Sequence, residues 1–93
     1  MIHTFSTRSM AIANALQRTA YPNLKAVVIS EETENGRTHY EVSDVDRRPV
    51  KDEDDVYDTI HQKDAVAHLR RILTQDGRVF LRGTWEGYYE VFG

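Results

Sequence analysis

Over Met1 to Ser6, Ile2 and Thr4 alternate with His3 and Phe5, a period-two pattern that predicts a short strand. The pattern then changes to helical spacing. Met10, Ile12, Ala13, Leu16 and Ala20 recur along one stripe, Ser6 or Thr7 can accept hydrogen bonds from the first free amides, and Pro22 forbids continuation, so a helix is predicted from about Thr7 to Ala20. From Leu24 to Ile29 both alternating sets are apolar except at Lys25, which predicts a central strand paired on both edges.

Asn35-Gly36 is the sharpest local signal, because a type I′ turn needs positive φ at both central residues and Asn followed by Gly tolerates it best. Closing a hairpin on those two residues sets Glu34 opposite Arg37, Glu32 opposite His39, Ile29 opposite Val42 and Val28 opposite Ser43. One face then carries Val27, Ile29, Tyr40 and Val42. The other carries Ala26, Val28, Ser30, His39, Glu41 and Ser43, and is expected to be at least partly wet.

Asp44 to Asp58 is the polar middle of the chain and reads as a surface connection, with Val56, Tyr57 and Ile60 forming a short helical or extended element. Asp64 is the expected cap of a second helix, in which Ala65, Val66, Leu69, Ile72 and Leu73 repeat at three- and four-residue steps until Gly77 ends it. Arg78 to Trp85 and Tyr88 to Phe92 are rich in aromatic and β-branched residues and predict a closing hairpin that turns at Glu86-Gly87. The order β, α, β, β, α, β, β predicts an α+β fold: a single antiparallel sheet with two helices on one face, in ferredoxin-like βαββαβ order with an extra C-terminal edge strand. A more open meander with both helices on one side is the alternative.

At 93 residues, with 40% hydrophobic and 29% charged positions, the chain is expected to fold as one ordered domain spanning 1–93. No apolar run approaches the roughly 20 residues of a membrane span, and the N-terminus lacks an export pattern, so a cytoplasmic protein without a membrane partner is expected. The absence of Cys excludes disulfides, thiolate zinc sites and cysteine nucleophiles. Twelve Lys and Arg against fifteen Asp and Glu give a net charge of −3, the wrong sign for a general phosphate-backbone binder.

Catalytic chemistry finds no constellation. Ser6, Ser9, Ser30 and Ser43 sit in no nucleophile elbow, no Gly-rich loop cradles phosphate, and the carboxylates of the acidic run lack the apolar pocket that would raise a pKa. His61 and His68 are seven apart, but His3, His39, His61 and His68 do not form the close ligand set that zinc needs. No enzyme activity, cofactor or metal is expected.

Two binding surfaces remain. Trp85, Tyr88, Tyr89 and Phe92 place four aromatics within eight residues next to Arg78 and Arg82, the residue types that anchor protein interfaces. Packing offers a competing reading, in which Leu81, Trp85, Tyr88 and Phe92 are core and Tyr89 alone is exposed. The acidic run Asp52, Glu53, Asp54 and Asp55 reads either as a lure for a basic partner or as a solvated loop. Together these features predict a small non-enzymatic protein-binding module, with Trp85, Tyr88, Tyr89, Arg82 and the acidic run as its contact residues. An accessory inhibitor or modulator of the phage or mobile-element type matches the chain by size alone. The alternative is a nucleic-acid-binding module using Arg37, His39, Arg47 and Arg48 on the open sheet face, and an exposed edge strand would permit a homodimer.

Overall fold

The computed structural model describes residues 2–45 and 56–93. Strand β1 (Ile2–Phe5) leads into helix α1 (Arg8–Thr19), followed by β2 (Ala26–Glu34), β3 (Arg37–Asp44), β4 (Val56–Thr59), helix α2 (Gln62–Asp76), β5 (Arg78–Gly83) and β6 (Tyr89–Phe92). Of the two expected caps, Ser6 and Thr7, Thr7 caps α1, its side chain accepting from the Met10 amide at 3.2 Å. Helix α2 starts earlier than expected. His61 occupies the cap position without a side-chain hydrogen bond, and Asp64 lies inside the first turn, where its charge still complements the helix dipole. Gly77 ends α2 in the left-handed region, at φ 72°.

Asn35 and Gly36 both have positive φ, 53° and 77°, and the β2–β3 hairpin takes the predicted register throughout, from Glu34 opposite Arg37 to Val28 opposite Ser43. Strand β2 begins at Ala26, two residues later than the apolar pattern suggests, because Leu24 is held in a left-handed turn at φ 52°. It is paired on both edges, by β3 and by β5.

All six strands form one antiparallel sheet in the order β1-β3-β2-β5-β6-β4. Its first half is a split βαβ unit, with β3 inserted between β1 and β2. A ferredoxin-like sheet would interleave a second such unit and bring the strand after α2 beside β1; here that strand, β5, extends the sheet from β2 instead. The expected C-terminal edge strand is also displaced, because β4 pairs with β6 along Val56–Phe92 to Thr59–Tyr89 and leaves β6 inside the sheet. Among the described residues the sheet edges are β1 and β4.

Both helices cover one face. Val27, Ile29, Tyr40, Val42, Val79, Leu81 and Val91 point to the same side and form one buried cluster with Ala11, Ile12, Ala15 and Leu16 of α1 and Ala65, Leu69 and Leu73 of α2. Near the end of α1, Arg18 donates to the Val42 carbonyl at 3.1 Å and pairs with Asp44. Burial pushes the Asp44 carboxyl up, but the Arg18 guanidinium and the Lys25 ammonium outweigh it and hold the group below its usual value. No described helix is long and apolar enough to cross a membrane.

The opposite face is drier than its sequence suggests at one place. Val28, Phe80, Phe92 and Val56 are successive partners across β2, β5, β6 and β4. Phe80 and Phe92 are 8% and 1% exposed and stack with ring centroids 5.5 Å apart. Phe92 is therefore buried, as the packing reading expects, but on the side away from the helices.

Strand β4 is fastened to α2 by Tyr57, whose ring stacks on His68 at a centroid distance of 3.6 Å. Burial, and then the nearby Arg71 charge, lower the His68 pKa, with Asp64 opposing them. The unfolded chain therefore takes up this proton first as the medium is acidified. The stabilisation is fully present above the unfolded imidazole value of about 6.5 and is lost as pH falls below it towards the folded-state value. Thermal melts at mildly acidic and neutral pH should show a smaller acid loss in His68→Phe, which keeps the ring stack, than in the wild type. Equal losses would remove His68 from the cause.

Candidate functional site

Among the described residues, the exposed large aromatics are Tyr21, after α1, and Trp85 and Tyr88, where β5 turns into β6. The strands end at the Gly83–Tyr89 pair, and beyond them the Thr84 amide donates to the Tyr88 carbonyl and the Gly87 amide to the Thr84 carbonyl, each at 3.0 Å. The Thr84 hydroxyl also accepts from the Tyr88 amide at 3.1 Å. Trp85, Glu86 and Gly87 thus form a three-residue loop, with Gly87 at φ 95° in the position where such hairpins need positive φ.

That turn is one residue longer than the expected Glu86-Gly87 turn, and the difference decides which aromatics are displayed. Trp85 is not a strand residue facing Tyr88; it stands on the loop and is 73% exposed, while Tyr88 is 43% exposed at the base. Tyr89 occupies the first position of β6 on the helix side and packs half-buried against the core. Of the predicted aromatic set, the fold brings Trp85 and Tyr88 together at the tip and withdraws Tyr89 and Phe92 to opposite sides of the sheet.

Arg82 lies on the open face, directly opposite Glu90, which in turn faces Asp58 on β4. The Arg82 Nε donates to Glu90 Oε1 at 2.6 Å, so its charge is engaged within the sheet. This row forms the floor of a hollow completed by Thr84, Glu86 and Tyr88. Asp58, Glu86 and Glu90 were legible only in part. Alternation along Tyr89-Glu90-Val91-Phe92 places Glu90 on the open side, but only the pairing of β4 with β6 brings Asp58 there.

The acidic residues Asp52, Glu53, Asp54 and Asp55 lie outside the described residues, as do Arg47 and Arg48. Strand β4, which follows the acidic run, starts opposite Phe92, at the end of β6 remote from the tip. Asp58, on β4, lines the hollow beside Tyr88.

Of the alternative basic set, Arg37 and His39 lie among the described residues. Arg37 and His39 follow the Asn35-Gly36 turn, beside a second hollow that includes Phe5 and Ser6. Arg37 is paired in register with Glu34 and His39 with Glu32, and His39 Nε2 lies 3.7 Å from Glu41. Among the described residues, three carboxylates, Glu32, Glu34 and Glu41, thus stand beside Arg37 and His39. The chain matches no protein-family model, no curated protein and no solved structure, so the chemistry of the tip itself carries the functional reading.

Proposed function

We propose that this protein is a small non-enzymatic binding module, of the accessory inhibitor or modulator kind, that engages another protein through the β5–β6 tip. The observation that carries this reading is Trp85, 73% exposed on a loop closed by backbone hydrogen bonds on both sides. A large aromatic left in water contributes nothing to the core, whereas on a preorganised hairpin it can bury extensive area in a partner with little further loss of entropy. Tyr88 adds a second amphipathic ring beside it.

Affinity capture from nuclease-treated host lysate, run in parallel with wild type and Trp85→Ala, tests the reading. Because Trp85 is 73% exposed, Trp85→Ala should keep the wild-type circular dichroism spectrum and melt within a few degrees of it. Capture should fall by about 30-fold, corresponding to about 2 kcal/mol for loss of an interface anchor. A captured protein retained equally by both forms overturns the assignment of the tip. Loss of every captured protein upon nuclease treatment would favour nucleic acid instead.

A further inference from the structure

We infer that the partner segment seated at the tip is basic and presents an arginine side chain between the tip aromatics and the carboxylates of the hollow; this rests on the tip being a protein contact. Among the described residues the hollow is lined by Asp58, Glu86, Glu90 and Arg82, a formal excess of two negative charges among these four. Arg82 is already bound to Glu90, so the excess is contributed by Asp58 and Glu86, both of them exposed. Tyr88 lines the same hollow, and Trp85 stands between Thr84 and Glu86, two of its lining residues.

Exposed aromatic faces beside carboxylates are complementary to a guanidinium. The planar cation can stack on an indole or phenol ring while its N–H groups donate in parallel to a carboxylate, and it is weakly hydrated, so transferring it from water costs less than for a lysine ammonium. An acidic or phosphorylated segment would instead meet like charge at Asp58 and Glu86. A purely apolar segment would bury both carboxylates without partners.

The single Trp of the chain is Trp85, so intrinsic tryptophan fluorescence reports the tip directly. The wild-type protein is titrated with a blocked peptide of alternating Gly and Arg, with the same peptide carrying citrulline for Arg, and with one carrying Glu. A saturable change is expected with the Arg peptide. Binding should be at least about five-fold weaker for the citrulline peptide and for the Asp58→Asn/Glu86→Gln double variant, as expected for losing exposed ion pairs, and absent for the Glu peptide. Equal binding of the citrulline peptide, undiminished binding by the double variant, or no saturation up to about 5 mM Arg peptide overturns the inference.

Lysate capture separates this outcome from the broader reading. A partner lost with Trp85→Ala but held fully by the double variant leaves the protein contact standing and overturns its basic character. A partner held fully by Trp85→Ala overturns the contact as well.

Discussion

Gly83→Ala should abolish the native fold or lower its stability by at least about 3 kcal/mol, a fall of roughly 12 °C or more in Tm for a domain of this size. A Cβ at this position would lie 1.8 Å from the Thr19 carbonyl oxygen and 2.7 Å from its carbonyl carbon. Neither atom belongs to a side chain that could rotate away. The last turn of α1 is braced at this point, with Thr19 fully buried and its hydroxyl donating to the Ala15 carbonyl at 2.9 Å, so relief requires lifting the helix from the sheet. Gly36→Ala is the matched control: nothing lies within 4 Å of the added carbon, and only the positive φ of 77° opposes it, at a cost of about 1 kcal/mol. Thermal melts followed by circular dichroism would read both. A Gly83→Ala melt as mild as that of Gly36→Ala would show that α1 does not approach β5 as described.

Leu69→Ala should rank next, costing between about 2 and 5 kcal/mol. Leu69 is fully buried in the cluster shared by both helices and the sheet, so truncation removes transferred apolar area and leaves a void that a close-packed surround only partly fills. In urea the unfolding midpoint should fall with little change in slope, since the native fold and the surface it buries are otherwise retained. A loss below about 1 kcal/mol would mean that α2 is not seated on the sheet. The consequence reaches the tip, because α2 holds β4 through the His68–Tyr57 stack and β4 supplies Asp58 to the hollow.

The two departures of the fold from the expected order differ in how far the sequence signalled them. The apolar run in β2 predicts a strand with two neighbours, and β3 and β5 are those neighbours. That prediction is incompatible with a ferredoxin-like order, in which the corresponding strand lies at the edge, and the burial pattern of one strand proved the better guide to strand order than the sequence of element types. The pairing of β4 with β6 had no comparable signal. Val56–Thr59 is four residues long, too short for alternation to distinguish a strand from the approach to a helix, and its partner comes after the whole of α2.

At the candidate site, the concentration of aromatics between Trp85 and Phe92 was evident, but their directions were not. Side chains alternate strictly along a strand, so one residue more in the turn changes which ring faces which side. Placing the turn at Trp85-Glu86-Gly87 displays Trp85 and Tyr88 and turns Tyr89 to the core.

What the sequence by itself determined is whatever a few neighbouring residues decide: the Asn35-Gly36 hairpin and its register, a cap at Ser6 or Thr7, the Gly77 stop, the stripe that α2 buries and the core face of β2 and β3, whereas α1 buries Ala11, Ala15 and Thr19 in place of the expected Met10, Ala13 and Ala20. Turn geometry, capping and periodicity are local energies, each expressed within about one or two turns of chain. The strand order, the burial of Phe80 and Phe92 on the far face, the approach of Thr19 to Gly83 and the meeting of Asp58 with Glu86 and Tyr88 were decided by the tertiary structure. Each depends on which sheet edge is open when a helix has crossed, a choice whose energy is spread over many contacts between residues distant in sequence.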